Sequence, residues 1–247
     1  MASDYNKALK EPQQVKALFD DLAPRYEFTD HVFSLGLDAW WRRRTAKALA
    51  PQAAGPLFDG ATGSGQLALS LAKRYRERRV VGLDFSSGML AQAQRRIAAA
   101  GAGGRIGLIE GDLTGLPLAG GVFGAATVAF GVRNVADRRA CLAEFFRVLQ
   151  PGGRLLVLEF DLPTLPVIGL LYRWYFGHVM PWIARRLRSF EAYRYLFQSV
   201  RAFPPPETFC RMLESAGFVR VHSRAMTLGT VRLYQGEKPA APSGQAS

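Results

Sequence analysis

The sequence has 247 residues, 49% apolar and 21% charged, which supplies a buried core for one or two domains and excludes a disordered chain. No internal repeat or dense cysteine spacing points to a solenoid or a disulfide scaffold. Its 32 Lys and Arg against 20 Asp and Glu give a net charge of +12, an excess that suggests an anionic partner such as nucleic acid, a phospholipid surface or an acidic substrate.

The opening MASDYNKALKEPQQ is polar and lacks the apolar stretch of a secretory leader. With only Cys141 and Cys210, this points to the cytoplasm. Residues 12–50 read as helical, with Val15, Leu18, Phe19 and Leu22 on one stripe, and residues 1–50 are expected to form an N-terminal helical cap. From residue 57 to residue 160, short apolar runs alternate with helix-period segments. LFDGA (57–61) reads as a buried strand, followed by a Gly-rich turn and a helix over 67–73. VVGLD (80–84) is a second strand and 89–100 a second helix. IGLIE (106–110), 125–130 and RLLVLEF (154–160) complete five strands, with a helix over 138–149 and a PGG turn at 151–153 before the fifth. Strands alternating with helices imply a mostly parallel sheet covered on both faces.

Residues 161–203 form an aromatic, Arg-rich insertion, expected as a helical lid. Its apolar stretch, 165–187, is broken by Arg173, His178, Arg185 and Arg186, which makes it a poor membrane span but a fair surface-lying segment. After Pro204–Pro206 an amphipathic helix ends at Gly217. VRVHS (219–223) and TVRLYQG (230–236) can add an antiparallel pair at the sheet edge. The main domain is expected over 51–238, and the tail 239–247 is compositionally disordered.

The strongest local signal is FDGATGSGQLA. Gly60, Gly63 and Gly65 allow a tight turn that brings a ligand against backbone amides and a helix N-terminus. Asp84 ends the next strand, where a carboxylate suits the two hydroxyls of a ribose. Gly63-x-Gly65-x-x-Ala68 also fits a dinucleotide fingerprint, so the loop alone leaves the cofactor open. The cysteines and His31, His178 and His222 are scattered, which argues against a Cys/His zinc site, and no metal is expected.

Asp59 before the loop and the Glu110-Gly111-Asp112-Leu113 run after strand three resemble a class I methyltransferase. There, an acid at the first strand end orients the cationic end of S-adenosylmethionine, and an Asp or Asn after strand three holds the adenine amine. AFGVRNVAD (129–137), FFRVLQPGGRLLVLEF (145–160), AYRYLFQSV (192–200) and FDDLAPRYEFTDHVFSLGLDAWWRR (19–43) resemble the ubiquinone/menaquinone biosynthesis C-methyltransferase family, over nearly the whole chain. That resemblance implies a Rossmann-like seven-stranded α/β fold and S-adenosylmethionine as cofactor. It implies cofactor contacts at Gly63, Ser64, Asp84, Asp112, Leu113 and the backbone near Ala129, beside Asp59 and Gly65. The chain departs from the family at Glu27, Thr29, Asp30, Thr62 and Ala129; these departures bear on the substrate rather than on the reaction class.

Arg133 and Asn134 lie just past strand four, at the edge where doubly wound sheets bind ligands. Arginine stays protonated and is no simple base, but it can stabilise a phenolate, and the sequence reading aims Arg133 at the acceptor ring. Tyr26 can close over the cofactor, Asp30 can alter what the pocket accepts, and His178 and Tyr193 can line a lipophilic pocket. The expected reaction is C-methylation of a prenylated hydroquinone, from demethylmenaquinol to menaquinol. An anionic membrane surface, at the inner face of the cell membrane, is the expected second partner, and a homo-oligomer is allowed. Another lipophilic acceptor is the alternative. A nucleic-acid substrate is the rival that the Arg runs at 42–44 and 74–79 raise, and no nucleic acid is expected, because the chain after strand four lacks a Pro-Pro-aromatic stretch.

Overall fold

Along each strand successive side chains face opposite sides of the sheet, and the apolar residues sort accordingly. Phe58, Leu155 and Val157 point to one face, Leu57, Leu156 and Leu158 away from it. In the computed structural model, which describes residues 34, 36–163, 170, 174–186 and 190–240, these runs form one seven-stranded sheet. Its strands are β1 (Leu57–Gly60), β2 (Val80–Asp84), β3 (Ile106–Glu110), β4 (Phe123–Ala129), β5 (Leu149–Phe160), β6 (Val219–Met226) and β7 (Val231–Glu237). Their order is β3-β2-β1-β4-β5-β7-β6. The first five are parallel, and β7 and β6 add antiparallel at the edge, as the alternation of elements predicts.

Both faces are covered by helices. Helices α1 (Asp38–Leu49), α2 (Gln66–Arg74) and α3 (Ser87–Ala99) bury Leu49, Leu71 and Ile97 against Leu57, Val80 and Leu156. On the other face lies α4 (Arg138–Val148), which buries Leu142 and Phe145 against Phe58. The insertion contributes α5 (Met180–Arg186) and α6 (Phe190–Arg201), and α7 (Pro206–Ser215) follows. Phe209 and Leu213 of α7 pack beside Tyr234 on the α4 face.

Helix starts follow their caps. Ser86 accepts from the Met89 amide, and Asp137 from the amides of Arg139 and Ala140, each satisfying N–H groups that an uncapped first turn leaves bare. Helix α2 has Gly65 at its cap and no side-chain cap, so its N-terminus faces the loop before it.

The PGG turn is the main departure from the sequence reading. The segment runs as extended backbone within β5: Leu149 pairs with Phe123, and the register shifts before Ala125 meets Arg154. Gly152, in the left-handed region, donates to the Lys238 carbonyl. The chain therefore bulges instead of reversing. Tyr26 and Asp30, the helices expected before residue 34 and the tail 241–247 lie outside the described residues.

Candidate active site

The site lies at the carboxyl ends of β1, β2, β3 and β4. The glycine loop leaves β1 with Gly63 and Gly65 at φ +55° and +78°, a path open to glycine and strained for other residues. Two non-glycine residues at the same edge, Ala61 and Phe130, also have positive φ, 49° and 59°. Strained backbone of this kind persists where surrounding structure imposes it. The two strand ends pack closely there: a Cβ on Gly131 would stand 2.4 Å from that of Ala61.

A cleft of about 190 Å³ opens there, lined by Leu83, Asp84, Phe85, Asp112, Leu113 and Asn134 among others. Asp84 is buried and its two oxygens accept from the amides of Gly63 at 2.8 Å and Ser86 at 3.0 Å. The loop thus fixes a carboxylate at the cleft wall. Asp112 stands exposed at the rim, its Oδ1 accepting from the Thr114 amide at 2.8 Å, while Leu113 is buried beneath.

A second pocket of about 30 Å³ is polar and includes Asp59, Thr62, Gly63, Ser64, Ala129 and Arg42 in its wall. Asp59 is 1% exposed. The Thr62 and Thr127 hydroxyls donate to its two oxygens, each at 2.7 Å, leaving each oxygen one further acceptor position. Burial outweighs those bonds and the charge of Arg42 and pushes the Asp59 carboxyl up to about 6; a further cation in direct contact would lower it again.

On the far side of β4, Val132–Asn134 form a short 3₁₀ turn. Arg133 does not face the cleft as the sequence reading expects. Its side chain is 4% exposed and turned into the sheet, where Nη1 donates to Glu159 Oε2 at 3.1 Å and to the Phe130 carbonyl. Its amide donates to Glu159 Oε1 at 3.1 Å. The cause is Glu159, a fully buried acid in the apolar strand β5 whose carboxyl burial pushes upward; such a group requires a cation. Asn134 does line the cleft, and its Oδ1 accepts from the Tyr195 hydroxyl at 2.9 Å.

The insertion places its residues differently from the sequence reading. Tyr193 is buried with Met180 and Ala184 and stacks on Phe197, so it packs the insertion. Among the described tyrosines, Tyr195, two residues on, reaches the site through Asn134. His178 is exposed and sits beside Trp174, its Nδ1 3.1 Å from that residue's carbonyl oxygen. Neither His178 nor Tyr193 lines the cleft. Glu159 and Arg42 carried signals in the sequence: Glu159 is a lone acid in RLLVLEF, and Arg42 shares a helical stripe with Thr45, Ala46 and Leu49.

Residues 6–238 match the family model described as the ubiE/COQ5 methyltransferase family. The chain belongs to that family. It is 46% identical to the ubiquinone/menaquinone biosynthesis C-methyltransferase UbiE of Syntrophotalea carbinolica, over 94% of this chain and 97% of that one. It is 43% identical to the demethylmenaquinone methyltransferase of Thermus thermophilus, over 90% of this chain and 100% of that one. Among solved structures, a SAM-dependent methyltransferase from Thermotoga maritima, described as a possible histamine N-methyltransferase, superposes with a TM-score of 0.65 at 18% identity. That match covers 90% of this chain and 99% of that one, and it supports the fold.

This ubiE/COQ5 family member is a methyltransferase that takes S-adenosylmethionine as methyl donor. Its site fits that group. The larger, mostly apolar cleft with Asp84 in its wall suits a nucleoside, and the small charged pocket with Asp59 suits a zwitterionic amino-acid end.

Proposed function

We propose that the chain methylates a ring carbon of a prenylated hydroquinone, demethylmenaquinol foremost, with another lipophilic acceptor as the alternative. The observation that carries this reading is the near end-to-end similarity to curated C-methyltransferases of quinone biosynthesis. In it, Asp84 accepts the ribose hydroxyls, and Asp112 and Leu113 take the edge and face of the adenine. Asp59 faces the ammonium group, while Gly63, Ser64, Gly65 and Ala129 let the backbone pass close. When bound, S-adenosylmethionine supplies a methyl group on a sulfonium, already electrophilic.

The remaining work falls to the chain: to hold the acceptor carbon in line, which removes much of the entropic barrier, and to favour the phenolate that makes the ring nucleophilic. Asn134 presents its amide at the acceptor end and is oriented by Tyr195. Burial pushes the Tyr195 hydroxyl up to about 12, so at neutral pH it remains a donor and not a base. Arg133 acts as a positioning residue, holding the Phe130 carbonyl and the 3₁₀ turn that carries Asn134. Tyr26 stays the candidate to close over the cofactor and Asp30 to shape the acceptor pocket. Incubation with S-adenosylmethionine and demethylmenaquinol should yield a product in which a methyl group has replaced a ring hydrogen, heavier by one CH₂ unit; unchanged quinol, with a different lipophilic phenol methylated, would favour the alternative.

We also infer that the insertion rests on anionic bilayers. Leu170, Trp174 and Trp182 are exposed, and Arg185 and Arg186 are exposed beside them in sequence, with the Arg186 guanidinium 5.2 Å from the Trp182 ring. Aromatic and basic groups together suit the headgroup layer. Among the described residues no helix is long and apolar enough to cross a membrane. Each cation near such a surface contributes about 1 kcal/mol and is screened by salt. Sedimentation with anionic liposomes should therefore show binding that weakens as ionic strength rises; equal partition onto neutral vesicles would contradict it.

The net charge offers less support for a nucleic-acid substrate. Several arginines are engaged with backbone carbonyls: Arg78 with Ala53 and Gly55, Arg147 with Leu116 and Leu118, Arg154 with Leu49 and Ala50. Arg42, first of the 42–44 run, is buried.

A further inference from the structure

At the carboxyl edge of the sheet, two segments turn large apolar side chains to solvent. On α1 these are Leu37, at the cap, and Trp40, 37% and 44% exposed; three residues apart, they share one face of the helix. In the turn between β6 and β7 it is Leu228, 66% exposed. The two segments are joined: the Trp41 indole donates to the Thr227 hydroxyl at 2.6 Å. Trp41 itself is buried with Phe130, Phe160 and Val231, at the ends of β4 and β5 and the start of β7. Leu228 is held at φ +57°, in the left-handed region that glycine enters without strain. Neither backbone preference nor burial accounts for a leucine at that position.

Basic groups flank the apolar ones. Arg43, Arg44 and Lys47 are exposed on α1 and Arg224 on β6, and the Arg44 guanidinium carbon lies 5.5 Å from the centre of the Trp40 ring. The one acid in residues 36–50 is Asp38, which is buried, and residues 219–230 contain none. Apolar groups beside cations match anionic headgroups over hydrocarbon. A second copy of the same face would set these cations against one another, so the charge favours lipid over self-association. We propose that Leu37, Trp40 and Leu228 form a wedge that enters the headgroup boundary of an anionic bilayer and turns the carboxyl edge of the sheet, where the cleft opens, toward the membrane. These residues are separate from Trp174 and Trp182 of the insertion, so the protein has two lipid contacts; the proposal rests on the reading that it works at an anionic surface.

Sedimentation of the full chain with phosphatidylglycerol vesicles tests it. Leu228→Gly relieves the backbone strain, so it should melt no lower than wild type, yet bind these vesicles about threefold to tenfold more weakly, part of what full burial of a leucine is worth. A merely structural role for Leu228 would lower the melting temperature instead. Trp40→Ser should lose at least as much binding. Quenching by lipids brominated near the headgroup reads the contact directly. With Trp174→Phe and Trp182→Phe in place, Trp40 and the buried Trp41 are the remaining tryptophans. The bound protein should then be quenched, and adding Trp40→Phe should remove most of that quenching. Wild-type binding by Leu228→Gly, or an unquenched Trp40 in bound protein, overturns the proposal while leaving the insertion's contact intact. A wild type that ignores anionic vesicles overturns both. If the two substitutions instead dissociate a dimer seen by sedimentation velocity, the face belongs to a second copy of the chain and the proposal falls.

Discussion

Replacing Arg133 by alanine is expected to destabilise the fold by about 3–5 kcal/mol, because it leaves the Glu159 carboxyl buried without its paired cation. Glu159 lies within the sheet, in contact with the 3₁₀ turn through two bonds to Arg133, so the loss should also disorder the end of β4 that carries Asn134. The pH dependence has a definite sign. Burial raises the Glu159 carboxyl above its ordinary value in the folded state, and removing Arg133 raises it further. A raised carboxyl weakens the fold as pH rises through its folded pKa and is harmless below its unfolded one. The gap between variant and wild type should therefore widen toward neutral pH and narrow in acid. Thermal melts of Arg133→Ala and of Arg133→Ala with Glu159→Gln across that range check this. The double variant should recover much of the stability, and methyl transfer by the folded double variant then reports what the guanidinium does beyond neutralising Glu159. A single variant within about 1 kcal/mol of wild type at neutral pH, the scale of an ordinary surface change, would contradict the buried-pair account.

Asp59→Asn should separate stability from binding. The Asp59 carboxyl moves from 3.8 to about 6 on folding, so its ionised form costs the folded state on the order of 3 kcal/mol at neutral pH. The penalty is absent below the unfolded value and complete above the folded one. The amide removes it, and the unliganded variant should melt a few degrees higher near neutral pH, with the advantage fading in acid. Affinity for S-adenosylhomocysteine should fall about tenfold or more, as a charge-assisted partner for the ammonium is lost. In the wild type, affinity should rise with pH through about 6, because the ammonium selects the ionised carboxylate. Calorimetry and melting curves on the same samples provide both readings; a less stable variant that binds normally would contradict them.

Much of this architecture was legible in residue order. β2 and β3 fall where VVGLD and IGLIE predict, and Gly63, Gly65 and Asp84 meet because a strand, a tight turn and a second strand leave them little alternative. The sequence was less informative wherever the partner was remote. Arg133 pairs with Glu159, 26 residues away, and no local pattern distinguishes an arginine that faces a ligand from one that faces a buried acid. Tyr193 and Tyr195 share one motif, and only the packing of α6 decides which reaches Asn134. The PGG segment reads as a turn because glycine and proline favour one, yet the same freedom admits a bulge when Lys238, just past β7, supplies hydrogen-bond partners to Gly152 and Gly153. Arg42 reads as part of a charge run in the sequence, whereas the helix Asp38–Leu49 carries it on its buried stripe.

The most direct measurement is the position of the methyl group. With S-adenosylmethionine carrying carbon-13 in its methyl, and demethylmenaquinol as acceptor, the NMR spectrum of the product should place the label on a ring carbon, with no signal in the methoxy region. A labelled methoxy group, or no transfer to the quinol under conditions where the chain labels RNA, would contradict the account.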